Sequence, residues 1–291
     1  MQMQKIGTVE GTKAVISKYP FAFQKKFGQN FLIDPRVLDK IIDSAEITKD
    51  DCVIEIGPGI GSVTQQLIEH AGKVISIEID DQLIPILTEQ FGDCENFRLI
   101  HKDVLKVDLK KLIEEESPNR KIKVVANLPY YITTPIIMAL LENQLNIESI
   151  TVMVQKEVAD RLASKPGSKQ YGAITVSVNY YSDTYLVANV PRNCFMPRPN
   201  VDSAVIQLRL HDEPPVQVGN VKQLFKIIKA AFLLRRKTLL NTLAAHGDLG
   251  IEKDKLKELL DESGIGAQTR GETLSIEDFA RLSDYIDAHR G

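Results

Sequence analysis

Short apolar runs rich in β-branched residues recur through the first two thirds of the chain, separated by more polar stretches. Cys52–Ile56 (CVIEI), Val74–Ile79 (VISIEI), Phe97–Ile100 (FRLI), Ile122–Ala126 (IKVVA) and Ile150–Val154 (ITVMV) have the length and residue types of strands. Ser62–Glu69 and Gln82–Phe91, lying between them, read as helices. Strand then helix, repeated, predicts a parallel sheet covered on both faces. Two later runs, Thr184–Ala188 and Ala204–Leu210, follow without an obvious long helix between them and are placed to pair antiparallel at the sheet edge. His211–Asn220 (HDEPPVQVGN), with paired prolines and a glycine, reads as a linker. Beyond it the pattern is helical only: Val221–Ala245, Lys253–Ser263 and Ser275–Ala288. Ser263-Gly264 closes the second of these, and Leu274-Ser275 followed by Glu277 and Asp278 opens the third. The expected architecture is a doubly wound α/β domain over residues 1–215 and a small all-α domain over 216–291.

Composition narrows the class. The 291 residues are 43% apolar and 26% charged, enough for two cores in an ordinary globular protein. The longest apolar runs, such as Ile136–Leu141, fall far short of the roughly 18 residues of a membrane span. The opening MQMQKIGTVEGTK has no apolar core of an export signal, so a cytoplasmic location is expected. Cys52, Cys94 and Cys194 are widely spaced, and neither they nor the five histidines show ligand spacing, so neither a metal site nor a disulfide is expected. No exposed apolar helix argues for a dimer, and a monomer is expected.

The sharpest local feature is Glu55-Ile56-Gly57-Pro58-Gly59-Ile60-Gly61, between a strand and a helix. Glycines let the backbone turn tightly and let a ligand approach where a Cβ would stand. The spacing is G-x-G-x-G, one residue shorter than the G-x-G-x-x-G that cradles a pyrophosphate, which argues against a nicotinamide dehydrogenase. The next strand reaches Glu78, twenty-one residues beyond Gly57, where a carboxylate can accept from the two hydroxyls of a ribose. Asp103 follows the third strand and can accept from an adenine amine. Each acid taken singly is more often a solvated helix cap than a ligand. Three successive strand ends that supply suitable groups point to an adenosine cofactor without a pyrophosphate, S-adenosylmethionine being the main candidate.

The fourth strand runs straight into Asn127-Leu128-Pro129-Tyr130. Pro129 alone would explain a strand-ending turn. The tetrad also joins a side-chain amide, a backbone carbonyl and an aromatic ring. An adenine amino nitrogen is a poor nucleophile because its lone pair is delocalised into the ring. If the Asn127 oxygen and the Leu128 carbonyl accept its two N–H bonds, the lone pair becomes available to a sulfonium methyl, with positional and electrostatic help only. Tyr130 can stack on the extruded base. Phe195 is a candidate for the opposite face, a core position being its plain alternative.

These motifs, in order, are FGQNFL (Phe27–Leu32), EIGPGIG, the acids Glu78 and Asp103, NLPYYITTPI (Asn127–Ile136) and FMPRPNVDSAV (Phe195–Val205). From about Phe23 to Arg236 the chain resembles the ribosomal RNA adenine dimethyltransferase family. Within that family it resembles most closely the bacterial enzymes that dimethylate two adjacent adenosines near the 3′ end of small-subunit rRNA. The resemblance implies a class I methyltransferase (Rossmann-like) fold, a seven-stranded mostly parallel sheet with an antiparallel final hairpin. It implies S-adenosyl-L-methionine contacts at Asn30, Leu32, Gly57, Glu78, Asp103 and Asn127, with Gly59 in the same loop, and S-adenosylhomocysteine as product. The implied partner is small-subunit rRNA in an immature ribosomal particle. Members that methylate large-subunit RNA share the core, but LLRRKTLLNTL (Leu233–Leu243) looks more like the small-subunit enzymes.

Taken as a bulk value, the formal charge of −3 disfavours such a partner. A segment map changes that picture. Lys13 to Arg36, which includes Lys25 and Lys26, carries five basic residues against one acid. Lys222 to Lys237 carries six and no acid. On one continuous helix Lys222, Lys226, Lys229 and Arg236 would fall within about 80° of each other, a stripe suited to phosphates. Glu78 to Glu116 and Ile251 to Gly291 hold the compensating acids. Two further readings remain open at this stage. One is a DNA adenine methyltransferase, opposed by the lack of a large target-recognition domain. The other is an assembly factor whose binding outweighs its catalysis.

Overall fold

The computed structural model describes residues 5–24, 28–118, 120–143, 145–245 and 249–289. Nine strands form among the described residues. They are β1 (Phe31–Leu32), β2 (Asp51–Ile56), β3 (Lys73–Glu78), β4 (Phe97–His101) and β5 (Lys121–Asn127), followed by β6 (Ile147–Gln155), β7 (Ser182–Val190), β8 (Phe195–Met196) and β9 (Ser203–Leu210). Seven of them make one sheet in the order β4-β3-β2-β5-β6-β9-β7. The pairs β2–β3, β2–β5, β3–β4 and β5–β6 are parallel, and β6–β9 is antiparallel. The two late apolar runs thus do sit side by side at the sheet edge, as β9 and β7. β1 and β8 form a separate antiparallel pair, Phe31 opposite Met196 and Leu32 opposite Phe195. The mostly parallel seven-stranded sheet is the fold class that the motifs imply.

Residue choice explains the sheet's centre. Every position of β2 and β9 up to Gln207 is buried, so neither strand needs a polar face. Burying each Val or Ile there contributes about 1.5–3 kcal/mol of transfer free energy. The helix Pro35–Ala45 shows how a covering layer is specified. Asp34 caps it by accepting from the Arg36 amide at 3.0 Å, Pro35 opens it, and Val37, Leu38, Ile41 and Ile42 turn inward.

The chain divides into two compact units, Met1–Ala159 with Thr184–Leu210, and Asp160–Asp183 with His211–Gly291. The second is helical: Ala173–Tyr181, Val221–Ala231, Leu239–Ala245, Lys253–Glu262 and Ile276–Ala288 enclose Leu224, Ile227, Leu259, Phe279 and Leu282. This division differs from a single boundary after residue 215. Tyr171, Val176 and Tyr180 are buried in the helical core, and the Tyr171 hydroxyl donates to the Leu274 carbonyl at 2.8 Å, which draws 160–183 into that unit.

The expected helix Val221–Ala245 is also two helices, parted by turns over 232–238. Tertiary hydrogen bonds replace the helical ones there. The Leu239 amide donates to Thr269 at 2.6 Å, and the Arg235 guanidinium donates to the carbonyls of Lys169 and Tyr171. Arg236 therefore lies off the helix that bears Lys222, Lys226 and Lys229, and the four do not form one helical stripe.

Candidate active site

The order of the sheet reverses between β2 and β5: β3 and β4 follow on one side, β6 on the other. Ligands of open α/β sheets settle at the carboxyl ends of strands flanking such a reversal. A cavity opens there, and its wall is drawn from the turns that follow β2, β3, β4 and β5 and from the segment around β1. It brings together Asn30, Leu32, Gly57, Gly59, Glu78, Asp103, Asn127, Leu128, Pro129 and Tyr130.

The turn after β2 passes through Gly57 at φ +68, a left-handed conformation that a side chain would strain. The Gly59 amide donates to Glu78 Oε2 at 3.3 Å, while Glu78 Oε1 accepts from the amides of Ile79 and Asp80, both at 2.8 Å. Burial raises the Glu78 pKa, and these three donors pull it down. Oε1 is saturated by its two amides, while Oε2, with one donor, retains capacity for a further one such as a ribose hydroxyl. Asp103 both caps and lines: its Oδ1 accepts from the Leu105 amide at 3.1 Å, and the residue borders the cavity.

Behind the turn, Glu55 accepts from Thr64 Oγ1 at 2.7 Å and Ser76 Oγ at 2.6 Å on the same oxygen. Burial pushes its pKa up to about 7 against those two bonds. Sequence reasoning took Glu55 only as part of the loop.

On the other wall β5 ends at Asn127. The Asn127 Nδ2 donates to the Asn30 carbonyl at 3.2 Å, and Asn30 Nδ2 donates to the Gly28 carbonyl at 2.8 Å. The Pro129 carbonyl is already taken by the Ile132 amide and the Thr133 hydroxyl, both at 3.1 Å, where the helix Thr133–Glu142 begins. Leu128, just before Pro129, lines the cavity. The Tyr130 hydroxyl shares a 2.8 Å hydrogen bond with Ser203, and burial raises its pKa. Tyr130 also borders a second depression, lined by Phe23, Asn30, Pro197, Arg198 and Asn200 among others.

Other candidates lie elsewhere. Phe195 is only 4% exposed and packs with Leu32, Val37, Cys194 and Val205, so it is a core residue and not a wall of the cavity. Pairing of β8 with β1 turns it inward. Lys222, Lys226 and Lys229 are exposed on the helix Val221–Ala231 of the helical unit. Lys25 and Lys26 lie outside the described residues. The cavity also recruits Gln29, Phe31, Lys102 and Tyr131, which the motif reading did not select. Gln29 and Phe31 stand within FGQNFL, and their neighbours Asn30 and Leu32 were the only signal.

Residues 20–288 match the family described as Ribosomal RNA adenine dimethylase. The chain belongs to that family. Among similar proteins, the Ribosomal RNA small subunit methyltransferase A of Lachnoclostridium phytofermentans is 56% identical over 98% of this chain and 99% of its own length. The protein of the same name from Clostridioides difficile is 49% identical, with 98% of each chain covered. Among solved structures, a dimethyladenosine transferase from Plasmodium falciparum is 26% identical with a TM-score of 0.75, over 88% of this chain and 97% of that one. The 23S rRNA methyltransferase ErmE is 28% identical with a TM-score of 0.67, over 89% of this chain and 100% of that one. Membership makes this protein an rRNA adenine dimethyltransferase.

Proposed function

We propose that the protein transfers methyl groups from S-adenosyl-L-methionine to N6 of two adjacent adenosines near the 3′ end of small-subunit (16S) rRNA, twice at each. The observation that carries this reading is the convergence of the Asn127–Tyr130 segment with Glu78, Asp103 and the Gly57 turn on one cavity. The small-subunit substrate is supported by relatives named for it at 49–56% identity, against 28% for the large-subunit enzyme. The RNA is met in an immature ribosomal particle in the cytoplasm, by the protein acting as a monomer.

The residues present fit the cofactor. A Cβ at Gly57 would stand over the turn where it approaches, and carboxylates at the ends of β3 and β4 suit a ribose and an adenine amine. Asn30, Leu32, Gly57, Gly59, Glu78 and Asp103 would hold S-adenosyl-L-methionine, which supplies an electrophilic methyl on a sulfonium centre and leaves as S-adenosylhomocysteine. Asn127 Oδ1 and the Leu128 carbonyl accept the two N–H bonds of the adenine amine, and this directs its lone pair. Tyr130 stacks on the base, with its hydroxyl anchored on Ser203. Pro129 fixes the backbone that presents the Leu128 carbonyl. Lys222, Lys226, Lys229, Arg236, Lys25 and Lys26 supply phosphate contacts, while Phe195 supports the site from the core.

Mass analysis of small-subunit RNA after incubation with labelled cofactor reports substrate, base and methyl count together. Two dimethylated adenosines are expected, and labelling of large-subunit RNA or duplex DNA instead would overturn the assignment. Asn127→Ala should keep cofactor binding but lose about 10²–10³ in kcat, the size of a lost polar contact to a reacting group. Unchanged turnover would sink its assigned role.

A further inference from the structure

Asn127 can accept an amine hydrogen only if its amide oxygen, and not its NH2, faces the substrate. An amide turned over would set two donors against each other. What fixes the orientation lies outside the NLPY segment: Nδ2 is committed to the Asn30 carbonyl at 3.2 Å, which leaves Oδ1 for the substrate. The Asn30 carbonyl belongs to a short strap over 28–30 that leads into β1.

The strap is anchored through Gln29. Its Oε1 accepts from the Gln24 amide at 2.8 Å, and its Nε2 donates to Asp80 Oδ2. Asp80 is 1% exposed and stands two residues past Glu78 in the turn after β3. Its other oxygen accepts from Gln24 Nε2 at 2.9 Å and from the Gln82 amide at 3.0 Å. The bond to Gln82 is the ordinary turn-closing role of an aspartate. It accounts for Oδ1 but not for Oδ2, which is turned to Gln29.

We propose that Asp80 and Gln29 are positioning residues for methyl transfer: their hydrogen bond holds the strap, the strap presents the Asn30 carbonyl, and that carbonyl sets the Asn127 amide with its oxygen toward the substrate amine. The inference rests on the reading of Asn127 as the acceptor of that amine. The strand end that carries Glu78 thus leads directly into the anchor for the reacting end of the cavity.

The test is a polarity swap, followed by steady-state methyl transfer to small-subunit RNA with cofactor affinity measured by calorimetry. Asp80→Asn keeps an oxygen for Gln24 and Gln82 but turns an NH2 toward the NH2 of Gln29. Gln29→Glu sets two carboxylates together. The double variant restores one hydrogen bond with donor and acceptor exchanged. Each single variant should lose about tenfold or more in kcat, with cofactor Kd and the KM for RNA within about threefold of the parent, and the double variant should return to within about threefold. Gln29→Ala, which removes the amide without opposing like groups, should show the same loss in kcat. Single variants with parental kcat, or a double variant no better than the worse single one, would overturn the inference. Asn127→Ala run alongside separates the two ideas. If it keeps turnover, the reading of Asn127 fails; if it is inactive while the single variants are not, only the positioning role fails.

Discussion

Glu55 is the residue whose chemistry departs furthest from its sequence context. Folding holds its proton up to about pH 7, whereas an ordinary glutamate releases it near 4.5. Between these values the folded chain binds more protons than the unfolded one, so the contribution is full below pH 4.5 and declines as pH rises through 7. Glu55→Gln abolishes that titration and keeps an oxygen for Thr64 and Ser76. From pH 4.5 to 8 the unfolding free energy of the variant should gain on the parent by something on the order of 3 kcal/mol. Chemical denaturation across that range checks this, and a pH-independent difference would contradict it. Tyr130 separates ring from hydroxyl. Tyr130→Phe strands the fully buried Ser203 hydroxyl, at about 1–3 kcal/mol of stability, but keeps the stacking face. Turnover close to that of the parent is expected for Tyr130→Phe and a large loss for Tyr130→Ala. Comparable losses in the two would assign the chemistry to the hydroxyl.

Between β2 and the helix Ser62–His70, glycines that look alike in the motif have different jobs. A Cβ on Gly61 would lie 2.3 Å from Cε2 of Phe91, and its φ is +92. Overpacking and the left-handed backbone together should lower stability by about 2–4 kcal/mol in Gly61→Ala. A Cβ on Gly57 meets nothing nearer than the Asn127 carbonyl at 3.8 Å, so Gly57→Ala should lose only about 1–2 kcal/mol, for the backbone. Its larger effect should be on cofactor affinity, because that Cβ would project where a ligand approaches. Unfolding and cofactor titrations of the two variants should rank them in opposite order. The turn was legible from its spacing, but the division of labour was not, because Phe91 comes from thirty residues further along. The helix Ala173–Tyr181 shows the opposite limit: AITVSVNYY is β-branched and aromatic, a strand by local preference. Burial of Thr175, Val176, Val178 and Tyr180 on its inner face overrides that preference.

Across the whole molecule, the charge of −3 is the sum of unlike segments, so it excluded no partner. The helix Val221–Ala231 turns Leu224, Ile227 and Ile228 inward and leaves Lys222, Lys226 and Lys229 exposed. Arg235 behaves differently from these lysines. It is held by two carbonyls and lies 3.4 Å from Glu272, which makes it a brace for the helical unit. Neutralising the three lysines to glutamine should weaken binding to small-subunit RNA and reduce the slope of log K against log salt by up to about 2–3. Affinity measured at several salt concentrations checks this, and an unchanged slope would remove the lysines from the interface. The Asn127→Ala protein should keep the parental slope, since the substitution removes no charge.

The sequence by itself determined the strands of the main sheet, the order of the motifs and the family. These rest on local signals: β-branched runs, glycine spacing, and a carboxylate or amide at a strand's end. Only the tertiary structure decided matters that depend on residues far apart in the chain. Phe195 became core because β8 pairs with β1. Residues 160–183 joined the helical unit because Tyr171 and Tyr180 are buried there. The basic segment parted into helix and turns because Thr269, Lys169 and Tyr171 offered hydrogen-bond partners that a continuous helix would have forgone. Asp80, Gln29 and Asn127 are linked through Asn30 across the cavity, and no spacing along the chain encodes that link. A backbone carbonyl or a buried face can be supplied by any residue type, so such contacts leave no mark in the local pattern and appear only when the chain has folded.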